Sequence, residues 1–506
     1  MMKPIDAVLN HITMYRLVLY ALLGMIGLAT ILAAFQLLPF SPLSLLASTA
    51  FLIVMCWAMN TVFARIFEVP ANVESSAITA LILALIVDPA QSPAAFQFLG
   101  WAAILAMASK YILALNKKHF FNPAAIAVVL TSFVLGESAS WWIGTISMLP
   151  AVLLGGILIA RKLRQEDMVW SFVASTIVST CGITLVQGQT LSTELYQMLA
   201  QSPLFFFAFI MLTEPLTAPP TKKLRRFYGV LTGIFFIPQI HISTLYSTPE
   251  LALVMGNVFS YLVSPKQKVT LTLSRKTKMA PDIIDFVFKS SQKLAFTPGQ
   301  YMEFTLAHPH SDSRGNRRYF TLASSPTENF VHLGVRFYEQ GSSFKKAMYT
   351  MNGKTQFIGA QVAGDFTLPP DPKQKLVFIA GGIGITPFRS MLKYLLDIHQ
   401  RRDITLLYIN KTRNEIVYAD ILSAAQARLG LKIFYTLTDR TALPLNWTGL
   451  VGRINEQMLM KIVPDYNEYI FYLSGPPDMV KAYEQVLRNM KIKHSQIKKD
   501  FFPGLV

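Results

Sequence analysis

Up to about residue 264 the chain is one apolar run after another, divided by short polar breaks. A run with no polar face offers nothing to water, so such segments belong in lipid. About ten can be marked, at roughly 17–39, 43–64, 75–88, 95–115, 123–136, 141–160, 168–187, 203–214, 228–246 and 250–264, several of them short. From about residue 267 the pattern changes to short strands, KVTLTLSRKTKM, IIDFVFKSS and FTPGQYMEFTLA, set between Gly and Pro turns. After Leu376 strands alternate with amphipathic helices. The expected fold is therefore multi-domain. A polytopic α-helical membrane domain (1–264) precedes a β-barrel domain (267–372) and an α/β nucleotide-binding domain (373–506).

Composition agrees, since 52% hydrophobic against 15% charged residues is too apolar for a wholly soluble chain of 506 residues. Lys and Arg fall in alternate breaks: Lys3 and Arg16, Arg65, Lys117 and Lys118, the Arg161 to Arg164 group, the Lys222 to Arg226 group, and Lys266 and Lys268. The intervening breaks have none, which predicts an integral protein of a bacterial-type inner membrane with both termini and the soluble half in the cytoplasm. The net charge of +17 is then a topology and lipid-headgroup signal, and no nucleic acid partner is expected. The apolar run after Arg16 ends without a clean cleavage site, so no removable signal is expected. Cys56 and Cys181 lie far apart in apolar runs and cannot build a four-thiolate cluster. His11, His119 and His241 are not spaced to clamp a haem, and no metal site is expected.

Within the apolar half, ITALILALIVDPA (Ile78 to Ala90) is echoed by FFFAFIMLTEPLTA (Phe205 to Ala218). Each is a short apolar segment stopped by an acid and a proline, Asp88-Pro89 and Glu214-Pro215. Interrupted segments in corresponding places of two halves mark repeat-built transport folds, although both acids also suit simple surface caps. Asn122-Pro123 launches another short segment, where Asn122 either caps the helix or meets a ligand.

The soluble half carries the chemistry. AGGIGITP (Ala380 to Pro387) follows the strand-like KLVFIA and opens a helical pattern. Gly381, Gly382 and Gly384 thus stand at a strand-to-helix turn, where backbone N–H groups can approach a pyrophosphate, with Thr386 and Pro387 in the first helical turn. In EQGSSFKKAM, Gly341 permits a turn and Ser342 and Ser343 begin a helix, a second phosphate cradle or an ordinary cap. Lys411 and Arg413 follow the strand ITLLYIN, where they either hold a 2′-phosphate or stay solvated.

This half resembles the ferredoxin–NADP reductase family over essentially its whole length, through RRYFTLASSP (Arg317 to Pro326), AGGIGITP and YLSGPPDMV (Tyr472 to Val480). The resemblance implies bound FAD and an NAD(P)H substrate. The flavin strand of that family would be Arg318, Tyr319, Phe320 and Thr321, followed by Ser325, with Phe320 in place of the usual stacking tyrosine. Gly475 and Pro476 would flank the nicotinamide, and Phe501 or Phe502 would cover the flavin.

The apolar half, through HFFNPAA, GTISMLPAVLLGGILIARKL and FIMLTEPLTAPPTKKLRRFYGVLTG, looks like the membrane subunits of the NqrB/RnfD family. That resemblance implies electron transfer through flavins in the membrane. The Ser-Gly-Ala-Thr type segment that carries covalent FMN there is missing here, so any membrane flavin is expected to be non-covalent FMN or riboflavin. The expected function is a membrane-bound, FAD-dependent NAD(P)H oxidoreductase passing electrons toward a quinone, a membrane flavin or an extracytoplasmic acceptor such as a flavoprotein. The alternative is an ion or solute transporter driven or regulated by its reductase domain. Hydride transfer itself needs no acid or base side chain, so no catalytic residue is named.

Overall fold

The computed structural model describes residues 12–67, 73–115, 118–242, 245–263, 268–309, 312, 315–339 and 341–500. The chain divides into two compact units, with the division between residues 268 and 269.

The first unit is helical. Its elements are α1 (Met14–Ala34), α2 (Pro42–Ile66), α3 (Val73–Ile86), α4 (Pro93–Ile112), a small hairpin of β1 (Ala114–Leu115) and β2 (Lys118–His119), and α5 (Pro123–Leu135). There follow α6 (Leu149–Leu163), α7 (Glu166–Val186), α8 (Leu191–Ala200), and α9 (Leu204–Phe206), which runs into a π-helical turn at Phe207–Met211. Then come α10 (Lys222–Phe235), a second hairpin of β3 (His241–Ile242) and β4 (Leu245–Tyr246), and α11 (Pro249–Val263). A polar residue before a proline starts several of these helices. Ser41, Ser92 and Asn122 each accept the N–H three residues on, while Pro42, Pro93 and Pro123 occupy a first-turn position that needs no donor.

Among the described residues four helices, α1, α2, α4 and α7, are long and apolar enough to cross a membrane; α3, α5 and α11 are shorter apolar helices. Of the ten spans expected from hydropathy, these four are helices long enough to cross by length and composition alone. The reason is local: a helix of 13 residues such as α5 rises only about 20 Å against a hydrocarbon core of about 30 Å.

The order of elements repeats. Long helices, a short helix stopped at Asp88-Pro89, another helix, a hairpin and the short helix α5 are matched by α6, α7, the stop at Glu214-Pro215, α10, the second hairpin and α11, with α8 as an insertion. Packing follows the same rule: α2 lies on α4 as α7 lies on α10, and the halves meet where α1 packs on α6 and α5 on α11, each element against its own counterpart. The stopped end of α3 is capped by two tryptophans from a distant segment. The Trp142 indole N–H donates to the carbonyls of Ala84 (3.0 Å) and Val87 (3.1 Å), and the Trp141 N–H to that of Ile86 (2.8 Å).

The second unit holds two sheets. An antiparallel sheet has the order β8-β7-β10-β5-β6-β9, from β5 (Lys268–Ala280), β6 (Ile283–Ser290), β7 (Tyr301–Leu306), β8 (Arg317–Thr321), β9 (Val331–Arg336) and β10 (Phe357–Ala363). It curls over a core that includes Phe286, Phe288, Phe304 and Phe357, with α12 (Ser343–Thr350) contributing Phe344. The expected barrel is here a curled sheet: no ladder joins β8 to β9 among the described residues, and the Ala323 N–H, just past β8, donates to the His332 carbonyl of β9 (2.9 Å). A parallel sheet has the order β14-β13-β12-β11-β15-β16, from β11 (Leu376–Gly381), β12 (Ile404–Asn410), β13 (Lys432–Leu437), β14 (Leu450–Val451), β15 (Ile470–Ser474) and β16 (Ile497–Lys499). Its helices are α13 (Thr386–Asp397), α14 (Ala419–Leu429), α15 (Glu456–Ile462) and α16 (Pro477–Asn489).

Candidate functional site

Strand β11 is the first strand of the parallel sheet and sits in its middle, between β12 and β15. The chain winds outward on one side through β12, β13 and β14, then crosses to β15 and β16. The order reverses at β11, and a crevice opens beyond the carboxyl ends of such strands. Gly381, Gly382 and Gly384 stand at that end, facing Gly475 and Pro476 at the end of β15. Gly382 has φ +53°, and a Cβ there would lie 3.3 Å from Arg336 Nη1. Gly384 is required for another reason, since its Cβ would sit 2.4 Å from the Ser474 carbonyl. Of these two, Gly382 keeps the turn open and Gly384 lets β11 and β15 approach. Thr386 opens α13 with its hydroxyl donating to the Ile383 carbonyl (3.1 Å), and Pro387 fills the next first-turn position.

The second cluster lies on β8 and α12. Alternation along β8 puts Arg318 and Phe320 on one face and Tyr319 on the other. The Arg318 guanidinium stands over the Phe344 ring (5.3 Å to its centre), and Phe320 lies 6.0 Å from the same ring. Tyr319 instead donates to Glu303 Oε2 (2.7 Å) and meets Tyr301 edge-on, while Thr321 is buried opposite Tyr301. Ser342 caps α12 by accepting the Lys345 N–H. Gly341 turns the chain just before it, its N–H donating to the Tyr338 carbonyl (2.9 Å).

What fills the cradle is a carboxylate. Asp312 Oδ2 accepts the Ser343 N–H (2.9 Å), its Oδ1 lies 3.8 Å from Arg318 Nη2, and its own N–H donates to Ser343 Oγ (2.9 Å). His308 Nε2 is 3.0 Å from that hydroxyl. An anionic oxygen held by a helix N-terminus and an arginine is the arrangement a phosphate would take, so Arg318, Ser343 and Phe320 fit the phosphate and ring of a flavin dinucleotide. Ser325 sits apart from this cradle, its N–H donating to Glu328 Oε2 (2.6 Å) and its hydroxyl paired with Thr327. Phe501 and Phe502 lie outside the described residues. Lys411 and Arg413 are exposed.

Sequence reasoning missed the polar network that joins the two sheets. Asp285 on β6 is bonded by Tyr418 Oη (3.0 Å) and His332 Nδ1 (2.8 Å). Arg389 on α13 donates to the Ala323 carbonyl (3.0 Å) and pairs with Glu328. Arg336 on β9 pairs with Asp282 and Glu415. Burial works against the charge on Arg389, but the hydrogen bonds and charge of Glu328 prevail and raise its pKa. Burial, with Asp285 adding to it, pushes the Tyr418 phenol well above its usual range. The only signal in the sequence was an acid inside an otherwise apolar strand, IIDFVFKSS.

Residues 378–485 match the family model for the oxidoreductase NAD-binding domain. The glycine betaine monooxygenase reductase subunit of Chromohalobacter salexigens is 26% identical over 214 residues, covering 41% of this chain and 57% of that one. NADH-cytochrome b5 reductase 1 of Debaryomyces hansenii is 26% identical over 231 residues, covering 44% of this chain and 79% of that one. The FAD/NAD-binding domain of nitric oxide dioxygenase from Vibrio cholerae superposes with a TM-score of 0.41 at 20% identity, over 46% of this chain and 98% of that one. The chain spans 57% to 64% of the length of the first curated relatives it matches. The C-terminal half is thus similar to oxidoreductases with an NAD-binding domain. Residues 131–268 in turn match the family model for the NQR2, RnfD, RnfE family.

Proposed function

We propose that this protein is a membrane-bound NAD(P)H oxidoreductase that passes electrons from the nicotinamide nucleotide, through FAD, into its own membrane unit. The observation that carries this reading is the presence, in one polypeptide, of an oxidoreductase NAD-binding domain and an NQR2/RnfD/RnfE-type membrane segment. When bound, FAD would take up a hydride equivalent and release it as single electrons. Arg318 and the Ser343 N–H would hold its phosphates, and Phe320 would cover the ring on the side of Phe344. The Gly381 to Gly384 turn and the N-terminus of α13 would take the nucleotide pyrophosphate, while Gly475 and Pro476 bound the crevice. The interlock of Arg389 with Glu328 and of Tyr418 with Asp285 holds the two sheets in fixed relation, which proximity catalysis requires.

The alternating positive charge supports a cytoplasmic reductase half with NAD(P)H as its partner there, and about ten spans, several of them short. The proposed acceptor is a quinone, a non-covalent flavin in the membrane unit, or an extracytoplasmic flavoprotein. The test uses right-side-out proteoliposomes with NADH trapped inside. The intact protein should reduce a quinone in the bilayer or an impermeant acceptor outside, whereas a fragment from about Gln267 to Val506 should be yellow and reduce only trapped ferricyanide. Equal behaviour of fragment and whole protein would exclude the membrane unit as a conduit and favour a transporter regulated by its reductase domain.

A further inference from the structure

Alternation along β9 sends Val331, Leu333 and Val335 into the core of the antiparallel sheet and leaves His332, Gly334 and Arg336 on the opposite face. Gly334 stands in the middle of that face. A Cβ built on it would lie 2.5 Å from Tyr418 Oη, 2.9 Å from Thr386 Cγ2 and 3.0 Å from Ile383 Cδ1. Two of these atoms come from the Gly381 to Thr386 turn, and the third from the loop that follows β12. The backbone of Gly334 is ordinary strand, so glycine here answers to close approach and not to conformation. Asp285, its register partner on β6, accepts the Tyr418 phenol (3.0 Å), and His332 Nδ1 lies 2.8 Å from the other carboxylate oxygen. Arg336 pairs with Glu415 of the same loop (2.6 Å). Tyr418 itself carries φ +58° just before α14, a left-handed conformation that a tyrosine keeps only where its surroundings hold it.

On the reading of the second unit as an NAD(P)H and FAD reductase, we propose that Gly334 is a positioning residue: a seat without a side chain on which Tyr418 and the glycine turn rest, fixing how far the bound nucleotide stands from the flavin. The seat makes and breaks no bond; it acts through distance. β9 belongs to the sheet that carries the Arg318 cradle, whereas Ile383, Thr386 and Tyr418 belong to the elements around the nucleotide turn, so an atom added at Gly334 pushes the two apart. Ordinary carbon contacts need about 3.5–4.0 Å, and the three atoms would have to retreat by roughly half an ångström to an ångström. Ile383 can turn its chain end aside. Tyr418 cannot, because Asp285 holds its hydroxyl and its ring lies against the Arg389 guanidinium (5.6 Å), which is itself bonded to the Ala323 carbonyl and Glu328. The displacement therefore passes to the backbone of the turn and the loop. The nucleotide would move with the turn that grips it, so its affinity is kept while hydride transfer, which is steep in the separation of donor and acceptor, is lost.

The experiment compares the full-length wild type, Gly334→Ala, Tyr418→Phe and the double variant in detergent. Gly334→Ala should keep its flavin absorbance and bind NAD+ or NADP+ with nearly the wild-type Kd by calorimetry, while FAD reduction by NAD(P)H in anaerobic stopped flow slows about 10- to 100-fold. Adding Tyr418→Phe removes the nearest obstructing atom and should restore a large part of that rate. Amide exchange over residues 412–418, measured without nucleotide, reads the seat independently of turnover and should be faster in Gly334→Ala and in Tyr418→Phe than in wild type. An unchanged rate in a folded Gly334→Ala protein, a rate that falls only in step with FAD content or Kd, or a double variant no faster than Gly334→Ala would overturn the seat. Should Gly334→Ala fail to fold, unchanged exchange in Tyr418→Phe would overturn it instead. A wild type that holds no FAD, or is not reduced by NAD(P)H, would sink the reductase reading, and the exchange measurement would still decide the seat.

Discussion

At the proposed flavin cradle, Phe320 and Asp312 are the single side chains whose roles can be tested. Phe320 offers a flat face without a hydroxyl, so Phe320→Tyr should keep FAD bound. Phe320→Ala should weaken it by about 0.5–1.5 kcal/mol beyond the lost area, or roughly 2- to 10-fold in Kd. Equal occupancy on gel filtration would mean another aromatic covers the ring. Asp312 acts in the opposite sense, because its carboxylate holds the Ser343 N–H that a phosphate needs. Asp312→Asn should tighten FAD on the order of tenfold by removing an internal competitor worth about 1.5 kcal/mol, as read by fluorescence titration of the apoprotein. Weaker binding would show that Asp312 supports the cradle instead. Gly382→Val places a branched side chain at φ +53°, a conformation costing about 1–2 kcal/mol, and points it at Arg336. The KM for NAD(P)H should rise on the order of tenfold while FAD stays bound; loss of FAD with it would mean that the turn serves both cofactors.

At the scale of elements, α14 is tied to the antiparallel sheet by one phenol. Tyr418 is buried and bonded to Asp285, and burial raises its phenol pKa, as burial raises those of Tyr408 and Tyr472 in the parallel sheet. The folded value lies above the unfolded one, so the stabilisation is complete below the ordinary tyrosine pKa of about 10 and is lost as pH rises past it. The melting temperature of the reductase half should therefore fall above about pH 10, and Tyr418→Phe should flatten part of that fall. An identical alkaline slope in wild type and variant would remove Tyr418 from the account. The short helices obey a different logic. Pro89, Pro123 and Pro215 were legible as stops and starts, and the structure honours them; the capping of α3 by Trp141 and Trp142, which come from beyond α5, was not legible, because it is a contact between distant segments.

For the whole molecule, the two halves were legible from pattern because burial in lipid and burial under a sheet demand different periods, near-continuous apolar runs against alternation. The glycine turn was legible because a strand followed by glycines and a helix has few uses. The sequence by itself therefore determined the two-part architecture, the class of the nucleotide turn and the candidate residues Arg318, Phe320, Ser343 and Gly382. Only the tertiary structure decided that Tyr319 turns away toward Glu303, that Asp312 occupies the phosphate cradle, that Asp285, Tyr418 and Arg389 lock the sheets, and that Glu214 meets Asn122 across the repeat. The physical reason is one of range. Periodicity, capping and turn chemistry are written within a few neighbouring residues, whereas a buried polar partner is chosen by whichever distant segment packing brings within about 3 Å.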